Sequence, residues 1–422
     1  MDSPSQSLAV GLMEDTMKAD CTKLTECVAC GSNKLKLVLD LKRQPLANSY
    51  KLNKNDWQPE FPLAINRCEE CYHVQLTHAV DPSLMFEDYL YVSGTTQTGH
   101  KHFEEFASMV NDMTPESETI LDVGCNDGTQ LDYFKILGYD TYGVDPAKNL
   151  HELSNKNHSV ACEYFNDEFA EKVFCFDVIT AQNVFAHTAD PLSFLKTAYK
   201  VMHEDSLMFI QTSQANMIKN NEFDTIYHEH ISFFNSQSMK KLCERAGLYL
   251  VDVQHMPIHG TSYIFVISKK EMKGNVDFVI AQEEADGLYQ PETYVKYANY
   301  CNAVVKELVE VVSRMTSNEV GWYGIGYGAP AKGMTLLNYS GLKLDFIIDD
   351  NPLKQGRFTP GSSIPIYSSE KLKELDDAIC FVPLAWNFYD EIVKKIKTIR
   401  SSSKHGQYDR YVTYFPKVET RE

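Results

Sequence analysis

The sequence lacks any run of about 18 apolar residues, the length that a helix needs to cross a membrane. It also lacks a basic excess, because 40 Lys and Arg stand against 58 Asp and Glu, for a net charge of -18. A chain this acidic repels phosphate backbones, which argues against nucleic acid as a partner but not against a small nucleotide held by backbone amides. The N-terminal segment has no basic region followed by an apolar stretch, so we expect a cytoplasmic protein without a secretory signal.

Glycine and proline are scarce, at 21 and 16 of 422 residues, which excludes a collagenous or low-complexity chain. The length predicts two to three domains at about 150 residues each. Composition divides the chain into a loop-rich block with cysteine pairs (1–88), a block of alternating strand and helix patterns (89–270) and a third block (271–422). The third block begins with a predicted long helix over 281–318 and continues with a second βαβ pattern. We expect the last dozen residues to be frayed.

Eleven cysteines are present. Two pairs have the spacing Cys27-x-x-Cys30 and Cys68-x-x-Cys71, which supplies four thiolates on tight turns and predicts a tetrahedral zinc site. Because all four positions are thiolates, the predicted ion is structural, with disulfides as the main rival interpretation. The other cysteines that stand singly in apolar surroundings are interpreted as reduced core thiols: Cys125, Cys162, Cys175, Cys243, Cys301 and Cys380.

The segment ILDVGCNDGTQLDYF predicts a strand ending at Asp122, a glycine turn and a helix. Glycine lets the backbone pass close to a ligand, and the next strand ends in Asp145, whose carboxylate can accept hydrogen bonds from both ribose hydroxyls. The turn departs from G-x-G-x-x-G, which favours S-adenosylmethionine over NAD. Asn166 and Asp167 could reach the adenine edge or serve as an N-cap. The predicted donor-binding residues of this region are Asp122, Gly124, Asn126, Gly128, Asp145, Asn166, Asp167 and Asn183.

A dense ionisable cluster, Tyr227-His228-Glu229-His230, lies in FDTIYHEHISFF. A histidine beside a carboxylate can act as a general base near neutral pH, while two histidines two residues apart could instead bind a metal, or the segment could be a polar surface turn. Upstream, Asn183 and His187 follow a predicted fourth strand, and the carboxyl ends of parallel strands are where ligands bind. His187 therefore either enters the site or packs as a capping residue.

The third block contains YGIGYGAPAKG, where Gly324, Gly326 and Ala329 fit the dinucleotide pattern G-x-G-x-x-A. Lys332 would add a cation at the start of the following helix, which suits a diphosphate. The candidate substrate-binding residues, which include a His-Gly pair before a strand and a later loop with two cations, are His228, His259, Gly260, Tyr327, Lys332, Lys354 and Arg357.

The order of these motifs resembles a known family. Two cysteine pairs, PLANSY, DYLYVSGT, DVGCNDGT, NVFAH, YHEH, HG-x-S, YGAPAKG and DDNP-x-KQG follow one another from about residue 27 to 370, as in the three-part C-methyltransferases that modify nucleotide-linked deoxysugars. The chain departs from the family at Thr261, usually a second glycine, and at Ile264, usually a basic residue. These departures bear on contacts with the sugar or its phosphates more than on the reaction type.

The resemblance implies an N-terminal zinc-binding domain, a central class I methyltransferase domain with a doubly wound sheet and a C-terminal Rossmann-like domain. It implies S-adenosylmethionine and structural zinc as cofactors, and a nucleotide-diphosphate keto sugar held between the last two domains of a monomer or weak homo-oligomer. It assigns His230 as the base, with Tyr227, Glu229 and His187 around the sugar. Tyr89 and Tyr91 would close over the donor.

Chemical reasoning agrees with this assignment, because a carbon becomes a nucleophile only after a proton is removed beside a carbonyl. Three alternatives stay open at this point. They are an O- or N-methyltransferase with a non-sugar acceptor, a two-cofactor oxidoreductase that uses the G-x-G-x-x-A turn, and a zinc-containing interaction module that has kept a donor pocket.

Overall fold

The computed structural model describes residues 20–87, 92–95, 97–212, 216–256 and 262–422. Within these ranges no helix combines the length and the apolar character that a bilayer span requires. The described strands form sheets of two, seven, four and six strands. The seven-stranded and six-stranded sheets are the two α/β layers that the sequence predicts.

The N-terminal part is built from antiparallel strands. Leucines at every second position from 35 to 41 give the period of two that a half-buried strand needs, and Leu39 and Leu41 point into the core. Its elements are β1 (Cys21–Lys23), β2 (Leu35–Gln44), β3 (Phe61–Cys68), β4 (Val74–Leu76), β5 (His78–Val80) and α1 (Ser83–Phe86). Strand β3 pairs with both β2 and β4, and β1 pairs with β5.

The central part is a seven-stranded sheet with helices on both faces. Its elements are α2 (Gln97–Met113), β6 (Thr119–Val123), α3 (Thr129–Ile136), β7 (Asp140–Val144), α4 (His151–Ser154), β8 (Ser159–Ala161), α5 (Asp167–Ala170), β9 (Phe176–Gln182), α6 (Pro191–Lys200), β10 (Met202–Thr212), α7 (Met217–Asn220), β11 (Ser232–Phe233), α8 (Ser236–Ala246), β12 (Tyr249–Met256) and β13 (Ser262–Ser268). The order is β12-β13-β10-β9-β6-β7-β8, in which β13 runs antiparallel to both of its neighbours. The strand order reverses at β6, which opens a crevice at the carboxyl ends of β6 and β9.

The C-terminal part is a second doubly wound sheet. Its elements are α9 (Val276–Ala285), α10 (Pro291–Met315), β14 (Tyr323–Tyr327), α11 (Ala331–Ser340), β15 (Phe346–Ile348), β16 (Ile366–Tyr367), β17 (Ile379–Pro383), α12 (Tyr389–Ile399), β18 (Arg410–Thr413) and β19 (Glu419–Arg421). The order is β16-β15-β14-β17-β18-β19, parallel except for β19. The predicted α/β fold class is confirmed.

Three details of the sequence interpretation need correction. The predicted helix over 281–318 is two helices, because the chain turns after α9 and Pro291 starts α10 at the first helical position. The last residues are not frayed, because β19 pairs with β18 and closes the edge of the sheet. Cys162 is exposed and Cys175 is half-buried, so neither is a core thiol.

The three parts share apolar cores. Strand β11 of the central part pairs with β4 of the N-terminal part, so one sheet is built from both. The largest apolar cluster contains side chains from all three parts, among them Leu41, Leu63, Ile226, Phe233, Leu308, Leu336 and Ile347. The parts are therefore packed against one another through buried apolar surface.

Candidate active site

The four paired cysteines converge at one point of the N-terminal part. Their Sγ atoms lie within 4.8 Å of one another, with Cys27 and Cys71 at 3.6 Å and Cys30 and Cys68 at 3.6 Å. A tetrahedral zinc with Zn–S bonds of 2.3 Å needs sulfur atoms about 3.8 Å apart, so the residues fit this ion. The same separations are far longer than a disulfide bond of about 2.05 Å, which removes the rival interpretation.

The cysteine site is anchored to the central part. Its sulfur-bearing residues lie in the same apolar cluster as Phe234 and Leu242. The guanidinium of Arg245, at the end of α8, donates to the backbone carbonyl of Ala29 at 2.7 Å. A metal at this point would therefore fix a face of the N-terminal part against the central sheet.

The glycine turn after β6 has the predicted shape. Gly124 has a φ of 72°, and an added Cβ would overlap the side chain of Val184, so glycine is required here both by the backbone conformation and by a close neighbour. Asp145 follows β7 and accepts hydrogen bonds from the backbone amides of Asn126, at 2.9 Å, and Ala147, at 2.8 Å. Burial raises the pKa of this carboxyl.

Other predicted donor-binding residues have local roles. Asp122 is buried and accepts from the hydroxyl of Thr180 at 2.7 Å, and burial raises its pKa to about 7. Asn166 caps α5 by accepting from the amide of Phe169 at 3.0 Å, so the N-cap interpretation is confirmed. Asp167 forms an exposed ion pair with Lys200. Direct contact of these three side chains with the donor stays a prediction.

A segment before α2 lies over the glycine turn. The amide of Ser93 donates to the side chain of Asn126 at 3.0 Å, and the amide of Gly94 donates to Asp127 at 2.9 Å. These bonds bring the chain next to the turn that the sequence predicts to bind the donor. Four of the predicted site residues lie outside the described residues, namely Tyr89, Tyr91, His259 and Gly260.

Unsatisfied polar atoms lie at the carboxyl ends of β9 and β10. The Oδ1 atom of Asn183, the Nε2 atom of Gln211 and the Nε2 atom of His187 are buried and have no hydrogen-bond partner in the part of the chain that the structure describes. Buried polar groups are normally paired, so such atoms indicate a place for a ligand. Together with the glycine turn and Asp145, they fit a polar nucleoside-containing donor such as S-adenosylmethionine.

The predicted catalytic residues come together beside this crevice. Nδ1 of His230 lies 2.9 Å from the carbonyl oxygen of Thr225, which only accepts, so Nδ1 carries the proton. In the neutral form of the ring Nε2 is then an acceptor, and it lies 2.8 Å from the hydroxyl of Tyr227. The ring of His187 stacks on that of His230 at 5.2 Å between centroids, and the ring of Phe86 also stacks on His187, at 5.5 Å. Burial lowers the pKa of His187 to about 4.

The neighbouring residues Glu229 and His228 point to different places. Glu229 is 5% exposed, and its Oε1 atom accepts from the amide of Asn48, in the N-terminal part, at 2.6 Å. His228 is 1% exposed, and its Nε2 lies 3.3 Å from the carbonyl oxygen of Phe61. His228 thus lies against the N-terminal part, and its Nδ1 atom is buried without a hydrogen-bond partner among the described residues, so its assignment as a substrate contact stays a prediction. Among the described residues, no group of three or more metal-ligating side chains includes His228 and His230, which disfavours the predicted alternative of a metal held by H-x-H.

The C-terminal part holds the loop that carries these residues. Asp224 is 2% exposed and accepts from the indole of Trp386 at 2.7 Å and from the hydroxyl of Tyr414 at 2.9 Å. Thr335, on α11, donates to the carbonyl of Ile226 at 3.0 Å. Sequence reasoning missed Asp224 and its partners, because nothing in the local motif indicates a contact with a distant domain.

In the G-x-G-x-x-A turn after β14, the backbone groups of Ala329 already have hydrogen-bond partners within the protein. The amide of Ala329 donates to Asp349 at 2.6 Å, and its carbonyl accepts from the ammonium of Lys354 at 2.8 Å and from the hydroxyl of Tyr50 at 2.5 Å. An amide already bound to a carboxylate is a poor cradle for a phosphate. This arrangement disfavours the oxidoreductase alternative, and it gives Lys354 a structural partner.

The remaining predicted substrate residues are spread over the C-terminal sheet. Lys332 lies over the ring of Trp386 at 4.8 Å, and Trp386 contacts Asp224 in the loop of residues 222–230. Tyr327 is buried in a separate apolar cluster with its hydroxyl 3.4 Å from Asp350, so the structure does not bring it to the loop. Arg357 is half-buried in the segment after β15.

Three family models match consecutive segments of the chain. A zinc binding domain matches residues 27–86, a methyltransferase domain matches residues 99–253, and a C-methyltransferase C-terminal domain matches residues 257–416. The predicted three-part organisation and the predicted cofactors, zinc and S-adenosylmethionine, are confirmed. The boundaries at residues 88 and 270 stay a prediction.

Individual relatives differ in how much of the chain they match. The C-methyltransferase NovU of Streptomyces niveus is 29% identical over 392 residues, which cover 89% of this chain and 92% of that protein. A ubiquinone biosynthesis O-methyltransferase of Cereibacter sphaeroides is 25% identical over 173 residues, covering 37% of this chain and 70% of that protein. A solved S-adenosylmethionine-dependent methyltransferase from Clostridium acetobutylicum is 13% identical, with a TM-score of 0.33, and covers 40% of this chain and 91% of that chain.

We expect loss of zinc to destabilise the whole protein, because the cysteines lie in a core shared with the central part. Chelation, or Cys68→Ser, should lower Tm by roughly 10 °C or more, since structural zinc contributes several kcal/mol. Scanning calorimetry together with zinc analysis by mass spectrometry measures both effects. Cys162→Ser, at an exposed thiol, is the control, and an unchanged Tm in the metal-free protein would contradict a structural ion.

Replacing Asp145 should weaken donor binding. Asp145→Asn keeps the shape and removes the charge that favours hydrogen bonds from ribose hydroxyls, so Kd for S-adenosylmethionine should rise about ten- to a hundredfold. Titration calorimetry measures this constant. Asp140→Asn, at the exposed start of the same strand, is the matched control, and equal Kd values for the two variants would show that Asp145 does not contact the donor.

Proposed function

Because the chain belongs to the three-domain, S-adenosylmethionine-dependent C-methyltransferases, we propose that it methylates the carbon next to the keto group of a nucleotide-linked deoxysugar, with His230 as the base. The similarity to a carbon methyltransferase extends over nearly the whole chain, whereas the O-methyltransferase similarity covers about a third of it. A model of the C-methyltransferase C-terminal domain also matches residues 257–416, which supports a carbon methyltransferase.

The observation that carries the proposal is the hydrogen bonding of His230. The carbonyl of Thr225 fixes the proton on Nδ1, so Nε2 presents its lone pair on the side of Tyr227 and His187. An imidazole held in one tautomer, with its basic nitrogen toward a polar crevice, has the properties of a general base. The hydroxyl of Tyr227 orients the ring in the absence of substrate and yields its place when the sugar enters.

The reaction then has two steps. Nε2 of His230 takes a proton from the carbon beside the keto group, and the electron pair of the broken C–H bond forms an enolate whose charge rests on the former carbonyl oxygen. Bound S-adenosylmethionine would supply a methyl group on a positively charged sulfur, and the enolate carbon would take this methyl while the electron pair of the broken carbon–sulfur bond stays on sulfur. The protein contributes mainly by holding the partners close together and excluding water.

We assign His187 as the hydrogen-bond donor to the enolate oxygen. Its Nε2 atom is buried, has no partner in the described part of the chain and lies on a ring stacked against the base. Because burial lowers its pKa to about 4, the ring is neutral at neutral pH and donates a hydrogen bond without carrying a charge. A donor aimed at developing negative charge is often the largest single contribution to catalysis.

The proton-transfer step can be tested without methyl transfer. With S-adenosylhomocysteine bound and in D2O, the enzyme should exchange the hydrogen beside the keto group in one member of a panel of keto deoxysugars linked to thymidine, uridine, guanosine or cytidine diphosphate. His230→Asn should lower this exchange at least about a hundredfold, the typical contribution of a general base. NMR measures the exchange rate.

His203→Asn, at an exposed histidine, is the control for the exchange experiment. Methyl transfer to oxygen or nitrogen without any exchange at carbon would favour the O- or N-methyltransferase alternative. Tight binding of the donor with neither exchange nor methylation would favour the scaffold alternative.

A second variant tests the assigned donor. His187→Phe keeps the stacked ring and removes the N–H, so kcat should fall about a hundred- to a thousandfold. Because burial lowers the pKa of His187 to about 4, its ring is already neutral between pH 5 and 8. The His187→Phe replacement should therefore leave the midpoint of the acid limb of the kcat profile unchanged in this pH range. Steady-state kinetics over this pH range measures both, and a shifted midpoint would instead identify His187 as the titrating base.

A further inference from the structure

Asn48 links the N-terminal part to the loop of residues 222–230, which carries the proposed base. It lies in the turn between β2 and β3, and its amide nitrogen donates to Oε1 of Glu229 at 2.6 Å, across 181 residues of sequence. The acceptor is a carboxyl group that is 5% exposed and adjacent in sequence to the proposed base. A hydrogen bond to a carboxylate in such a position is stronger than one between neutral groups.

Asn48 is itself held in place by its neighbours in sequence. The hydroxyl of Tyr50 donates to the carbonyl of Ala329 in the C-terminal part at 2.5 Å. The backbone of Lys51 both donates to and accepts from Phe358 at 2.9 Å, and its ammonium donates to Ser363 at 2.7 Å. The turn is therefore fixed to the C-terminal part while its asparagine reaches the central part.

We infer that Asn48 is a positioning residue for the reaction, acting through Glu229, an inference that rests on the proposed function. Its N–H group favours the ionised form of the Glu229 carboxyl, because a hydrogen bond to the charged form stabilises that form. It also holds this carboxylate, which directly precedes His230 in the sequence, in one orientation. The zinc-containing part thus supplies a group to the active site in addition to its structural role.

If the turn has a purely structural role, replacing Asn48 should lower the stability slightly and leave the properties of Glu229 unchanged. The contacts of Tyr50 and Lys51 tether the N-terminal and C-terminal parts without Asn48, so the amide would then add only a little stability. The two possibilities differ in whether the properties of Glu229 change when Asn48 is replaced.

The first experiment needs no substrate. The pKa of Glu229 is measured by NMR on protein with 13C-labelled glutamate carboxyls, and its signal is assigned with Glu229→Gln. Asn48→Ala should raise this pKa, and Asn48→Asp should raise it further, because two carboxyl groups at hydrogen-bond distance cannot both ionise easily. Asn53→Ala, at an exposed asparagine in the same connection between β2 and β3, is the control and should leave the pKa of Glu229 unchanged. An unchanged Glu229 pKa in both Asn48 variants would overturn the inference even if the proposed function fails.

The second experiment tests coupling in the reaction, with the keto sugar nucleotide that the wild-type protein accepts. Asn48→Ala should lower kcat/KM about tenfold or more, with unchanged Kd for S-adenosylmethionine and unchanged zinc content. In a Glu229→Ala background the same replacement should cost less than about twofold, because residues that act through one another are not additive. Equal losses in both backgrounds would overturn the inference. A wild-type protein that neither exchanges nor methylates any sugar of the panel contradicts the proposed function instead.

Discussion

The proposed active site depends on a buried carboxylate that receives hydrogen bonds from another domain. Asp224 accepts from Trp386 and Tyr414, and burial with the nearby charge of Asp224 raises the pKa of Tyr414 well above its ordinary value, so this hydroxyl remains a donor. The next residue, Thr225, presents the carbonyl that fixes the tautomer of His230. The C-terminal part thereby sets which nitrogen of the proposed base is free to take a proton, although it contributes no side chain to that ring.

The N-terminal part acts on the same loop from the other side. Its cysteine site lies in a core shared with the central sheet, and its first long turn brings Asn48 to Glu229 and Tyr50 to Ala329. The loop from 222 to 230 is therefore held between all three parts. This arrangement explains why a methyltransferase sheet alone would not suffice for the proposed chemistry, because the residues that follow β10 depend on contacts with both neighbours.

Much of the fold and part of the site were predictable from short-range patterns. The cysteine spacing, the turn around Gly124 and the acid at the end of β7 each fix a local geometry within a few residues, and the structure has them where the sequence places them. Local pattern does not determine the rest of the site. His228 and His230 are two residues apart in an irregular segment, and only packing shows that one faces Phe61 and the other Tyr227. The edge strand β19 was missed because polar residues give no strand signal.

The sequence by itself determined the chemical types of ligand that each motif can hold, because four thiolates or a glycine turn followed by an acid are set by covalent spacing. Only the tertiary structure decided which ionisable groups meet. Asn48 reaches Glu229 across 181 residues and Tyr414 reaches Asp224 across 190, and no local pattern encodes such contacts. They arise because buried polar groups must find partners when apolar surfaces of the three parts pack together, and that packing is a property of the whole chain.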